Sequence, residues 1–275
     1  MTSLATNLSC QASTDMYIGP EKGALVIVGG SLKSTDIIDR FIELAGGLDA
    51  NFVVIPTASG RDTYDQNAGL APRLRNQGAT NVTVLHTNDR LEANSDVFVE
   101  SLRQADAVWF GGGRQWRLVD SYKDTKAEEL FHEVLNRGGV IGGSSAGATI
   151  QGSYLARGDT KNNQVMMGDH EEGFGFLKNV AIDQHVLARN RHFDLFSILD
   201  NRPELLGLGI DENTAIVVEG NQFEVMGDSH VLVYDGSFYS KEGYELKVLP
   251  EKSRMFYFLS NGDRYDLKKR KVIAN

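Results

Sequence analysis

Gly143-Ser144-Ser145-Ala146-Gly147 sets Ser145 between two glycines, each two residues away. The apolar run Val140-Ile141-Gly142 precedes it, and helix-compatible residues follow. This is the G-x-S-x-G spacing of a tight strand-to-helix turn, in which only small residues fit beside an exposed hydroxyl. Ser145 would stand at the carboxyl end of a strand, and the backbone N–H of Ala146 would face a developing oxyanion. The chemistry on offer is nucleophilic attack on an acyl carbon. The same five residues would also make an ordinary flexible loop, because Gly and Ser dominate turns. The rest of the chain has to decide.

A serine nucleophile needs a base within hydrogen-bond reach, and the base needs an acid to orient it. Of the six histidines, His185 lies just past the apolar segment Val180-Ala181-Ile182-Asp183, where the site residues of open sheets collect. Leu208-Gly209-Ile210 leads into Asp211-Glu212, and either carboxylate could hold an imidazole. Spacing does not choose between them, and Asp-Glu-Asn is good turn chemistry as well. The resulting chain order is Ser, His, acid, whereas α/β-hydrolases run Ser, acid, His. Arg189 and Arg191 follow closely, and paired guanidiniums suit a carboxylate-bearing substrate. Two solvated arginines are the plain alternative, although cations at a helix start oppose its dipole.

The elements that must position these residues alternate regularly. Apolar strands are expected at 24–30, 52–56, 82–86, 107–113 and 140–142, with helices at 37–44, 62–77, 96–104 and 126–136 between them. Buried strands alternating with helices imply a parallel sheet covered on both faces, with ligands beyond the carboxyl ends of its strands. After Ile150 the texture changes. Residues 158–172 read as a polar loop or flap, 180–183 as a short strand and 190–199 as a helix. Strands follow at 206–210, 214–218, 223–226 and 231–234, with a hairpin around Asn261-Gly262. These late strands read as an antiparallel extension of one domain over 23–275, behind a flexible segment at 1–22, since no linker composition marks a boundary.

Composition narrows the class. The chain has 275 residues, a net charge of −9, and 41% hydrophobic and 24% charged residues, as soluble globular proteins do. That charge argues against a general nucleic-acid binder, and no run of about 20 apolar residues would span a membrane. The single cysteine, Cys10, cannot form an internal disulfide, and no Cys/His cluster resembles a zinc site, so neither metal nor cofactor is expected. The expected location is cytoplasmic. Export with lipid anchoring would follow if a signal ahead of Cys10 had been removed.

Five segments in order carry a family resemblance: Phe110-Gly111-Gly112-Gly113-Arg114-Gln115, the serine turn, Asp183-Gln184-His185, Arg189-Asn190-Arg191, and Gly209-Ile210-Asp211-Glu212-Asn213-Thr214-Ala215. Together they resemble the cyanophycinases of peptidase family S51, whose cousins are the dipeptidase-E-type aspartyl dipeptidases. Single motifs of this kind are weak, but five in order over about 23–234 are specific. The resemblance implies an α/β parallel-sheet sandwich of the class I glutamine amidotransferase-like (flavodoxin-like) type, extended by C-terminal antiparallel strands. It implies Ser145 as nucleophile, His185 as base and Glu212, in preference to Asp211, as the acid. The oxyanion donors would be Ala146 with Gly112 or Gly113. It also implies a ligand pocket of Gln115, Asp183, Gln184, Arg189 and Arg191, a homodimer, and cyanophycin cut to β-Asp-Arg dipeptides, or else small aspartyl peptides as substrates. One departure stands out. The family pattern has a further arginine where this chain has Asp194, a substrate-binding position whose reversed charge would either weaken the grip on a substrate carboxylate or recruit a substrate guanidinium; polymer and dipeptide both stay open as substrates, with a non-catalytic binding homologue as the remaining alternative.

Overall fold

The computed structural model of the chain describes residues 17–246 and 254–274. Cys10 and the anchoring idea attached to it lie outside the described residues. Of the expected N-terminal segment, residues 17–22 are described and touch the body: Ile18 N–H donates to Asn221 Oδ1 at 2.7 Å, and Gly19 and Pro20 are buried.

The elements follow the apolar pattern. Strand β1 (Ala24–Val28) is wholly buried. Helix α1 (Thr35–Leu44) starts where the Ser34 hydroxyl accepts from Ile37 N–H, and it buries Ile37, Ile38, Phe41 and Ile42 along one face. Strand β2 (Asn51–Ile55) ends in a 3-10 turn at Thr57–Ser59. Helix α2 is confined to Ala71–Asn76, shorter than the 62–77 expected. Gly69 at φ +61° and Pro72 in the first helical turn hold its start late. Then come β3 (Asn81–Val84), α3 (Arg90–Ala93), α4 (Asp96–Arg103), β4 (Ala107–Phe110), α5 (Trp116–Tyr122), α6 (Lys126–Asn136), β5 (Val140–Ser144) and α7 (Ala146–Thr149). The last part holds β6 (Gly152–Tyr154), β7 (Leu177–Gln184), α8 (Phe196–Leu199), β8 (Leu206–Ile210), β9 (Thr214–Glu219), β10 (Gln222–Gly227), β11 (His230–Tyr234), β12 (Tyr257–Ser260), β13 (Arg264–Asp266) and β14 (Lys271–Ile273). Helix α8 is also shorter than expected. Asn190 at φ +54° and the bond from Arg191 N–H to Val186 O turn the chain before it.

Two sheets result. The larger runs β14-β13-β10-β9-β1-β5-β4-β2-β3, parallel from β1 to β3 and antiparallel from β9 outward. This is a mixed α/β, flavodoxin-like architecture. The smaller runs β12-β11-β8-β7-β6. The late strands therefore divide between two sheets where one extension was expected. The turn at Asn261-Gly262 is not a hairpin: β12 pairs with β11 in the small sheet and β13 with β10 in the large one.

Alternation along the large sheet explains the layers. Val26, Val28, Val54 and Trp109 pack with α1 and α2 on one face. The Phe41 ring meets Trp109 edge-on at 5.0 Å, an arrangement worth about 0.5–1.5 kcal/mol beyond its buried area. Ile27, Ile55, Phe110 and Ile141 share the other face with α4–α6 and the inner side of the small sheet, including Val180, Ile182, Leu208 and Ile210. One apolar core thus fixes the two sheets against each other. The carboxyl ends of β1, β5 and β7 and the β8–β9 turn meet at one place.

Candidate active site

The serine turn forms as the glycines require. Ser145 joins β5 to α7 at φ +58° and ψ −112°, a strained backbone for a residue with a side chain. Its N–H donates to Val28 O at 3.0 Å, so β1 holds the turn. A Cβ on Gly143 would lie 2.2 Å from Gly147 O, and one on Gly147 would lie 2.0 Å from Phe110 O. No side chain larger than hydrogen fits at either position. The N–H of Ala146 opens α7, which has no side-chain cap. Gly112 runs alongside, since a Cβ there would sit 3.4 Å from Ser145 Cβ. Gly113 at φ +144° packs on Ala58, whose carbonyl a Cβ would strike at 2.0 Å.

His185 follows the last residue of β7 at φ +56° and hangs from the residue just past β1, through its N–H to Gly29 O at 3.1 Å. Its Nε2 lies 2.9 Å from Ser145 Oγ, and its Nδ1 lies 2.6 Å from Glu212 Oε1. Gly30 makes room for the ring, because a Cβ there would be 2.1 Å from Cε1. Burial is the largest influence on the imidazole pKa and lowers it; Glu212 opposes that shift, while Arg189 and Arg191 add to it. Glu212 is held below the usual carboxylate range, mainly by its bond to His185.

The two acids at the β8–β9 turn separate cleanly. Glu212 faces the imidazole. Asp211 is buried and accepts from Leu187 N–H at 3.0 Å, Ala188 N–H at 2.9 Å and Ser229 Oγ at 2.7 Å. It anchors the segment just after His185. Asn213 fixes the turn from the other side: its N–H donates to Gly30 O, and its Oδ1 accepts from the N–H groups of Lys33 and Ser34.

The residues expected to line a ligand pocket fare unequally. Arg189 is exposed, and among the described residues its guanidinium makes no hydrogen bond or ion pair, although its charge is felt by Glu212 and His185. Arg191 is buried and gives Nη1 to Gln184 Oε1 at 3.1 Å, which occupies the Gln184 side-chain oxygen. Gln115 is fully buried, and its Nε2 donates to Ala156 O at 2.6 Å and Arg157 O at 3.0 Å. Asp183, expected to face ligand, is instead fully buried: Oδ1 takes Arg157 Nε at 2.8 Å and Oδ2 takes Nη2 at 3.0 Å. Asp194 pairs with the same Arg157 Nη2. Arg157 was not among the residues the sequence singled out. Nothing local in the sequence marks it, because its partners are 26 and 37 positions away.

The Peptidase family S51 model matches residues 25–226. A cyanophycinase of Geminocystis herdmanii is 31% identical over 268 residues, covering 92% of this chain and 97% of the relative. A Peptidase E of Pasteurella multocida is 23% identical over 251 residues, covering 86% and 100%. Among solved structures, a peptidase from an acI-B1 Actinobacterium superposes with a TM-score of 0.66 at 25% identity, covering 90% of this chain and 98% of that one.

Proposed function

Since the chain belongs to peptidase family S51 and is a serine-type peptidase, we propose that Ser145, His185 and Glu212 are its nucleophile, base and orienting acid, and that it hydrolyses cyanophycin to β-Asp-Arg dipeptides. The observation that carries this is the unbroken line of bonds from Glu212 through His185 to Ser145. The Glu212 carboxylate can only accept, so Nδ1 carries the proton and Nε2 is left as the acceptor. Burial keeps that imidazole neutral at neutral pH. It takes the proton from Ser145 Oγ as the oxygen attacks the backbone carbonyl on the C-terminal side of a substituted aspartate. The N–H groups of Ala146 and of Gly112 or Gly113 receive the oxyanion, each typically worth about 3–4 kcal/mol of barrier. The imidazolium returns its proton to the leaving amine, and an acyl-enzyme forms. Water, deprotonated by the same Nε2, then frees the acid and restores Ser145.

On the ligand side, Arg189 and the N–H groups of Arg191 that Gln184 does not take would grip a substrate carboxylate. The dipeptidase reading, with aspartyl or isoaspartyl peptides as substrates, is favoured by the Peptidase E relative. Product analysis separates the two. Purified cyanophycin should release β-Asp-Arg with the wild type and none with Ser145→Ala. Cleavage of Asp-X or β-Asp-X dipeptides alone would favour the second reading. Unchanged turnover in Ser145→Ala would refute both.

A further inference from the structure

We propose that Arg157 is a positioning residue: clasped by Asp183 and Asp194, it locks the base of the 158–172 loop to the strand end that carries His185, and so holds the imidazole in register with Ser145. The proposal rests on the reading of His185 as the base.

Arg157 heads the fully buried side chains of the described residues. A guanidinium out of water is costly unless every part of it is paired. Here Nε and Nη2 make a two-pronged bond with Asp183, Nη2 also reaches Asp194, and Nη1 donates to Asn163 O at 3.1 Å. The backbone of Arg157 is left-handed at φ +58°, an unfavourable conformation for a residue with a Cβ. Well-packed apolar side chains often stabilise a fold as well as a buried ion pair does. What such a pair adds is a fixed geometry.

The partners show which parts are fixed. Asp183 sits in β7, two residues before His185. Asp194 lies in the segment that turns back after His185, through Arg191 N–H to Val186 O and Asp194 N–H to Arg191 O. On the opposite flank, Gln115 donates to the carbonyls of Ala156 and Arg157, and Arg114 Nη2 donates to Asp159 O at 2.6 Å. The stretch 156–159 is therefore bonded both to the Gly112–Gln115 loop beside Ser145 and to the segments on either side of His185. Arg157 Nη1 and the bond from Arg157 N–H to Met166 O carry the rest of the 158–172 loop with it.

Asp194 is the partner to change, because its side chain is 36% exposed and Asn keeps its shape. In Asp194→Asn, kcat should fall about tenfold with KM within about twofold, as expected when a reacting group is displaced by a fraction of an ångström. Trypsin should cleave after Lys161, exposed at the loop tip, at least about tenfold faster in the folded enzyme, with fragments mapped by mass spectrometry. Asp194→Glu should recover much of both. Unchanged cleavage at Lys161 together with unchanged kcat would overturn the proposal, as would a kcat loss that Asp194→Glu leaves in full. The protease readout does not depend on what His185 does. If Ser145→Ala stayed active while Asp194→Asn exposed Lys161, the functional reading would fail and the clasp would stand.

Discussion

Gly30→Ala tests the placement of the imidazole without touching any group that reacts. A Cβ at Gly30 would lie 2.1 Å from His185 Cε1, 2.5 Å from Nδ1 and 2.6 Å from Nε2. Ordinary contact begins at 3.4 Å, so the ring must retreat by about 1.3 Å. The contact meets the ring itself, and no flexible tip can swing aside. The Nε2–Oγ distance of 2.9 Å leaves no room for such a retreat without losing the bond. Misplacing a reacting group by about 1 Å costs on the order of 10²-fold, or about 2.7 kcal/mol of barrier. The substitution also strains the backbone, because Gly30 has φ +141°, at about 1–3 kcal/mol and roughly 2–4 °C of Tm per kcal/mol. Gly46→Ala isolates that second effect: Gly46 sits at φ +103° with no atom within 4 Å of its would-be Cβ. The assay is the rate at which a serine-directed phosphonate labels Ser145, beside kcat/KM, with circular dichroism to confirm folding. Gly30→Ala should lose about 10²-fold in both rates, while Gly46→Ala should lower Tm and keep both. A folded Gly30→Ala that labels within about threefold of wild type would refute the argued ring position.

Further outcomes follow from the same geometry. Glu212→Gln should lower kcat by about 10³–10⁴-fold, because an amide can donate to Nδ1 and select the wrong tautomer. It should also move the acid limb of kcat/KM to lower pH, since the carboxylate is what raises the imidazole pKa. Asp211→Ala should invert the pattern: a lower Tm, from two backbone donors losing their acceptor at about 1–3 kcal/mol each, with a smaller loss of kcat. Equal kcat losses in the two variants would contradict the division of labour between these acids. Finally, burial holds His86, His132 and His185 below the ordinary imidazole pKa. The unfolded chain binds protons at these groups first, so their stabilising contribution is present above about pH 6.5 and is lost as pH falls below it. Burial pulls His170 the same way, but Asp120 and Asp169 raise it on balance, so it works in the opposite sense. Calorimetry should find Tm falling between pH 7 and 5, and a flat or rising Tm would count against this balance.

Much of the site was legible because tight geometry forces residue types. Gly143 and Gly147 announce the serine turn since nothing larger fits, and the position of His185 after an apolar run is a local signal. The choice between Asp211 and Glu212 was not legible from spacing. Adjacent residues of a turn point in different directions, and only the fold decides which one meets the ring. Asp183 illustrates the opposite limit, because its ion pair depends on an arginine 26 residues earlier. The fold divides the same way. Strands β1 to β5 and helices α1, α4 and α6 follow from periodicity, whereas the short helices α3 and α5 were not expected. The assignment of β8, β11 and β12 to a second sheet depends on long-range pairing that no local pattern records. The overlong helices expected at 62–77 and 190–199 were stopped by Pro72, Gly69 and Asn190, each through its backbone preference.

The two-sheet layout has a consequence for a newly made chain. The serine leaves a strand of the large sheet, the imidazole arrives 40 residues later on the small one, and the carboxylate 27 residues after that in the turn crossing back between them. A ribosome-bound stretch ending soon after the serine has no proton acceptor for it. A molecule nicked so that its small sheet drifts away loses that acceptor again. On the proposed reading of these three residues, hydrolytic capacity is thereby tied to the completed assembly of both sheets.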